Sequence, residues 1–119
     1  MVDELARVGR LSLTNATVED AKSIKDHLRY HDIRECLIHG LTPSEALNDP
    51  FFILGSRNFS IKLEDKVIGI CGTVPIDPKT ARVWMLGTDE IMEHWFSFLK
   101  GSRKVVEILQ GEYQLVENF

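Results

Sequence analysis

The chain has 119 residues, a length typical of a single domain that buries its own hydrophobic core. Hydrophobic residues make up 44% and charged residues 27%, which excludes intrinsic disorder and a disulfide-stabilised mini-protein. The formal net charge of −4 argues against sequence-independent binding of DNA or RNA, because such binding needs cations that neutralise phosphates. No apolar run approaches the ~20 residues of a membrane-spanning helix, so no membrane partner is predicted.

The first half of the chain predicts one strand followed by three helices. Residues 1–10 lack a clear pattern and are interpreted as a lead-in. Apolar and polar residues alternate over 11–15, which predicts a short strand. Three helical segments follow: Thr17 to about Tyr30, a short segment around 33–38, and Pro43 to about Asn48.

Two of these helices begin with the same N-terminal pattern. Thr17 is followed by Asp20 at the third helical position, and Thr42 is followed by Pro43 and then by Glu45. In such a pair the threonine oxygen accepts the N–H of the third residue, whose carboxylate accepts the N–H of the threonine. We therefore expect capping boxes at both positions.

The second half predicts a meander, a long helix and a last strand. The predicted segments are strands over 58–63, 67–74 and 82–86, a loop over 75–80, a helix over 90–110 and a strand over 113–116. The order β-α-α-α-β-β-β-α-β predicts an α/β (α+β) fold over residues 1–119. Its mixed central sheet carries helices on both faces.

Several short motifs occur within this order. They are Asp-Ile-Arg-Glu at 32–35, residues 39–47, Gly-Ile-Cys-Gly-Thr-Val-Pro at 69–75, Val-Trp-Met-Leu-Gly-Thr-Asp at 83–89, and residues 94–103. Together they resemble the GCN5-related acyltransferase fold, in particular the phage group that includes internal virion protein A of short-tailed phages. The resemblance covers roughly residues 11–118. Because that family usually continues with another helix and strand, the resemblance implies a short member or a chain whose C-terminal elements are missing.

The resemblance also locates a cofactor region. Active acyltransferases of this fold hold the coenzyme A diphosphate on a [QR]-x-x-G-x-[GA] turn after the third meander strand. The corresponding stretch, residues 86–91, has one glycine and places Asp89 and Glu90 where phosphates would lie. No cofactor and no tight coenzyme A binding are therefore predicted. The alternative is acetyl-coenzyme A, bound by residues in and near this stretch: Met85, Leu86, Thr88 and Ser102.

Candidate catalytic residues share one face of the second helix. Glu35 has His31 four residues before it and His39 four residues after it. The pattern fits a general base with neighbouring histidines, and it also fits local ion pairs on a solvated face. Asp32 and Arg34 are interpreted as exposed charges. No metal site is predicted, because no third ligand accompanies the histidines, and the cysteines at 36 and 71 are expected to be reduced.

Three functions remain open at this point, of which the weakest is a host-takeover factor that binds a bacterial protein. The favoured one is a non-catalytic phage protein in the virion or its assembly, with other virion proteins or a copy of itself as partners. It would be located in the virion or the host cytoplasm. The alternative is a divergent acetyl-coenzyme A-dependent N-acyltransferase that acts on a small amine or a host protein.

Overall fold

The computed structural model describes residues 4–91, 94, 98, 100, 103–111, 113 and 115–118. The strands are β1 (Glu4–Val8), β2 (Leu11–Asn15), β3 (Arg57–Leu63), β4 (Lys66–Asp77), β5 (Thr80–Gly87) and β6 (Leu115–Asn118). The helices are α1 (Val18–Ile24), α2 (Tyr30–Ile38), α3 (Pro43–Asn48), a 3-10 turn (Asp49–Phe52) and α4 (Arg103–Gln110). Four further residues, 91, 94, 98 and 100, are also helical.

The strands form one sheet in the order β1-β2-β3-β4-β5-β6. The first five strands run antiparallel as a meander, and β6 pairs parallel to β5. The prediction of an α+β fold with a mixed sheet is confirmed.

Each face of the sheet covers a separate hydrophobic core. On one face the sheet packs against α4 and the helical residues before it, and buried members include Leu13, Phe59 and Val105. On the other face it packs against α1 and α3, with Ile24 and Leu47 among the buried side chains. Helices on both faces are therefore also confirmed.

Both predicted capping boxes are present. The N–H of Asp20 donates to the Thr17 hydroxyl at 3.1 Å, and the N–H of Glu45 donates to the Thr42 hydroxyl at 3.2 Å. Each carboxylate accepts the threonine N–H in return. Asp20 also accepts the Ser60 hydroxyl at 2.6 Å, which ties α1 to β3.

The predicted boundaries differ from the structure in several places. The last strand begins at Leu115 rather than at 113, and the second helix begins at Tyr30 rather than near 33. The lead-in over 1–10 contains an edge strand, β1, which pairs with β2 across a turn at Gly9 (φ 60°). The helix predicted to reach Tyr30 ends at Ile24, and the N–H of Arg29 donates to the Gly87 carbonyl instead of to a carbonyl within the helix. The loop predicted over 75–80 is shorter, since β4 continues to Asp77.

The apolar patterns of the sequence predict five mostly buried core positions: 70, 83, 85, 95 and 99. Ile70 is fully buried, whereas Val83 and Met85 are half-buried. Trp95 and Leu99, also expected in the core, lie outside the described residues.

The two cysteines, Cys36 and Cys71, are both free and buried. This agrees with the prediction that they form no disulfide. Complete burial raises the pKa of the Cys71 thiol to about 12. Burial and the nearby Asp32 carboxylate raise the pKa of Cys36. Neither environment stabilises a reactive thiolate.

Candidate functional site at the open edge of the fifth strand

The end of β5 leaves backbone groups turned away from the sheet. Thr88 N–H donates to the Ile68 carbonyl at 3.0 Å. By antiparallel alternation, the N–H and C=O groups of Gly87 and Met85 then point away from β4. Among the described residues, the pairing of β5 with β6 ends at Val83. Among the described residues no strand pairs with the backbone groups of Met85, and this part of β5 is called the open edge below.

A clasp of three residues holds α2 against the end of β5. The Arg29 guanidinium donates two hydrogen bonds to the Asp32 carboxylate, at 3.0 and 2.7 Å. Gly87 N–H donates to the same carboxylate at 2.9 Å, and Gly87 C=O accepts the Arg29 N–H at 2.8 Å. The side chains of Arg29 and Asp32 are only 12% and 5% exposed. The clasp fixes the first turn of α2 beside the open edge.

A groove of about 860 Å³ lies next to the clasp. Its walls are α2, the segment from α3 to residue 53, and the facing ends of β4 and β5. This volume is in the usual range of small-molecule and cofactor sites. Because Met85 and Leu86 also line the groove, it meets β5 at the open edge.

The groove contains all three residues of the predicted catalytic face. His31, Glu35 and His39 line it, as their spacing of four residues predicts. The Glu35 carboxylate lies 4.0 Å from His31 Nε2, and both side chains are largely solvent-accessible. Glu35 is therefore free to reach a ligand in the groove. The structure places these three side chains on one face of α2, whereas their catalytic roles remain a prediction.

The residues predicted to bind the cofactor lie in different places. Leu86 lines the groove and packs against the α1 and α3 face. Met85 borders the groove, but its side chain packs with the core on the opposite face. Thr88 is buried, and its hydroxyl donates to the Ile68 carbonyl at 3.3 Å. Ser102 lies outside the described residues.

The loop after β5 does not fit a coenzyme A diphosphate. Such a group needs several free N–H groups and little negative charge nearby. The N–H groups of Gly87 and Thr88 are already bonded to Asp32 and to a backbone carbonyl. Asp89 and Glu90 add two carboxylates, of which Glu90 pairs with a lysine of β4. The two carboxylates are one reason to expect weak coenzyme A binding, and the hydrogen bonds that already occupy these N–H groups are a second.

Asp32 and Arg29 were missed by sequence reasoning. The interpretation of Asp32 as an exposed charge is wrong, because the residue is only 4% exposed. Its carboxylate accepts hydrogen bonds from the Arg29 guanidinium and from the Gly87 N–H. The spacing of three residues between Arg29 and Asp32 was the available signal. The spacing of four residues between Arg103 and Glu107 also predicts an ion pair, and this pair is present at 3.6 Å.

Other site types find no support in the part of the chain that the structure describes. No group of three or more metal-ligating side chains occurs among these residues. Within the same residues, no helix has the length and hydropathy needed to cross a membrane.

Comparison with known proteins relates the fold to acetyltransferases. No protein-family model and no curated protein matches the chain. Among solved structures, it resembles a protein provisionally described as an acetyltransferase, with a TM-score of 0.65, 10% identity and coverage of 91% of this chain and 59% of that one. It also resembles RimL, a ribosomal L7/L12 alpha-N-protein acetyltransferase, with a TM-score of 0.63, 11% identity and coverage of 95% and 68%. A GNAT-family acetyltransferase from Bacillus anthracis gives a TM-score of 0.61, 14% identity and coverage of 98% and 71%.

These similarities establish a GCN5-related acyltransferase-like fold. The chain spans 59% of the length of the first of these proteins. Sequence identities of 10–14% support a shared fold but not a shared activity. The matched structures are acetyltransferases, so they give no support to the predicted phage virion role.

Proposed function

We propose that the chain is an N-acyltransferase domain that transfers an acyl group from a coenzyme A thioester to a primary amine. The observation that carries the proposal is the convergence of two features in one groove. Glu35 projects from α2 into the groove, and the open edge of β5 at Met85 borders it. A base and an exposed backbone N–H near one another are what acyl transfer to an amine requires.

Each residue has a defined task in this proposal. Glu35 accepts the proton that the amine must lose, and His31, 4.0 Å away, passes it towards solvent. As the new C–N bond forms, the C–S bond of the thioester breaks and the leaving thiolate takes a proton from solvent. Met85 N–H is the donor placed to stabilise negative charge on an acyl oxygen at the open edge. The clasp holds α2 in place, so that Glu35 keeps its position relative to β5.

The acyl donor, coenzyme A thioester, is assigned to the open edge of β5 rather than to the loop that follows this strand. Coenzyme A supplies an activated acyl thioester, and its amide-containing arm is suited to hydrogen bonding with the N–H and C=O of Met85. A second RimL structure, with a TM-score of 0.54, is a complex with coenzyme A, which favours this cofactor over the absence of any. Because the N–H groups of Gly87 and Thr88 are already hydrogen-bonded within the protein, they do not bind the diphosphate of coenzyme A. We therefore expect the acyl donor to bind weakly.

The test of this proposal is replacement of Glu35. In the purified protein with acetyl-coenzyme A and a primary amine, Glu35→Gln is expected to lower the rate of thiol release by about 100-fold or more, because a glutamine cannot accept the proton. The matched control is Glu19→Gln, an exposed glutamate at the start of α1 on another surface, which should change the rate less than about twofold. Equal rates in Glu35→Gln and wild type would exclude Glu35 as the base.

A non-catalytic role is the second candidate, and one observation favours it. The N–H groups of Gly87 and Thr88 are satisfied within the protein, as in a fold that no longer holds a diphosphate. In that case wild-type protein would release no thiol with any amine, and partners such as virion proteins or a second copy would account for its role. The same assay separates the two candidates.

A further inference from the structure

A second cavity lies beside the turn that precedes β5, away from the open edge. Its volume of about 690 Å³ is in the usual range of small-molecule sites. Its walls are the start of β3, the turn between β4 and β5, and the segment that follows α4. Among the described residues, only Pro75 lines both this cavity and the groove, so the two are separate sites.

Arg57 supplies the cationic group of the second cavity. Its guanidinium carbon lies 5.1 Å from the centre of the buried Phe59 ring, within the range of a cation–π contact. The guanidinium also lies against Gly111, where a Cβ atom would collide with Nη1. The aromatic ring and the glycine together fix the guanidinium in the wall of the cavity.

This guanidinium has no anionic partner among the residues that the structure describes. None of their carboxylates forms an ion pair with Arg57, although the arginine is only partly exposed. A cation that has lost part of its hydration is stabilised by a counterion bound at close range. The planar fork of N–H donors on an arginine matches the two oxygens of a carboxylate. The second cavity therefore favours an anionic ligand.

The rest of the lining limits the charge and the shape of that ligand. Asp77 is the one carboxylate among the described lining residues, and its Oδ1 accepts the Lys79 N–H at 2.8 Å. One cation with one carboxylate nearby suits a ligand with a single negative charge better than a doubly charged phosphate. Pro75, Pro78 and Tyr113 add ring side chains to the walls. Such walls favour an aromatic group.

We propose that the second cavity binds a small aromatic monocarboxylate. The ligand carboxylate accepts N–H groups of the Arg57 guanidinium, and the ligand ring packs against Tyr113 and the two prolines. The site is separate from the groove and from the acyl transfer proposed there. Its test therefore needs neither an acyl donor nor an amine.

Benzoate is the probe, and heteronuclear NMR of the isotopically labelled wild-type protein measures its binding. We expect the side-chain Nε–H signal of Arg57 to shift saturably, with a Kd of about 1 mM or tighter. Benzyl alcohol has the same ring without the charge, and inorganic phosphate has charge without the ring. Each of these compounds should bind at least about ten-fold more weakly than benzoate. A shift that does not saturate by about 10 mM benzoate would overturn the proposal, as would equal binding of either control compound.

Variants of Arg57 locate the binding site. Arg57→Met keeps an apolar stem beside Phe59 but removes the charge, so benzoate should bind at least about ten-fold more weakly. Arg57→Lys keeps the charge but removes the planar fork, so we expect a smaller loss of about three- to ten-fold. The matched control is Arg10→Met, which changes an exposed arginine that pairs with Glu64 and should alter the affinity less than about twofold. Equal losses in Arg57→Met and Arg10→Met would contradict the assigned site.

Replacement of Asp77 with asparagine tests the sign of the ligand charge. Asp77→Asn removes a negative charge from the cavity, while the amide oxygen can still accept the Lys79 N–H. We therefore expect benzoate to bind about two- to five-fold more tightly to this variant than to wild type. Weaker binding of benzoate to Asp77→Asn would show that Asp77 does not oppose the ligand, which contradicts the proposal.

Discussion

Replacing Asp32 with alanine is expected to lower the free energy of unfolding by roughly 3–5 kcal/mol. The carboxylate is 5% exposed, receives two hydrogen bonds from Arg29 and accepts the N–H of Gly87. Its removal takes two charge-assisted hydrogen bonds from a nearly buried guanidinium and leaves a buried N–H without its acceptor, and both are costly. Urea unfolding followed by circular dichroism measures the change.

Two further variants give this prediction its controls. Asp32→Asn retains an oxygen that accepts the Gly87 N–H but removes the charge opposite Arg29, so we expect an intermediate loss. Asp26→Ala removes an exposed aspartate just before the clasp and should change stability by less than about 0.5 kcal/mol. A loss below about 1 kcal/mol in Asp32→Ala would show that the clasp does not hold α2 to β5.

Replacing Gly72 with alanine is expected to be similarly severe. Gly72 lies between β3 and β5, opposite Asn58 on one side and Trp84 on the other. A Cβ atom there would lie 2.3 Å from the Arg57 carbonyl oxygen, a backbone atom that moves only if the strands separate. It would also lie 3.1 Å from polar atoms of both flanking side chains.

We expect Gly72→Ala to lower stability by about 3 kcal/mol or more and the Tm by about 10 °C or more. Gly40→Ala is the comparison, since a Cβ there meets no atom within 4 Å and only the positive φ of 75° is unfavourable. That strain amounts to about 1–2 kcal/mol. If calorimetric melting shows that Gly72→Ala lowers the Tm no more than Gly40→Ala, then β3 and β4 do not pack as closely at Gly72 as the structure shows.

Local signals in the sequence predict much of the fold. The capping boxes at Thr17 and Thr42 depend on residues three positions apart. The hairpin of β3 and β4 follows from alternation over 58–63 and an apolar run over 67–74, separated by a tight turn. β1 escapes prediction because its short segment mixes charged and apolar residues, and only pairing with β2 makes it a strand. The extension of β4 escapes because Pro75 suggests a loop, while a register shift between Pro75 and Asp77 accommodates it.

The candidate site is predictable only where it lies on one element. The helical period of α2 brings His31, Glu35 and His39 to one face, and the structure confirms that placement. The burial of Asp32 depends on Gly87, 55 positions along the chain, so no local pattern reveals it. The same hydrogen bond occupies the N–H of Gly87, which lies in the stretch predicted to bind the cofactor.

The central claim is that an acyl thioester binds at the open edge of β5 beside the groove. Its most direct test is heteronuclear NMR of isotopically labelled wild-type protein during titration with acetyl-coenzyme A. We predict that the amide signal of Met85 shifts progressively, while that of Ala6 in the distant edge strand β1 stays unchanged. A titration to millimolar acetyl-coenzyme A that leaves the Met85 amide unmoved would contradict the account.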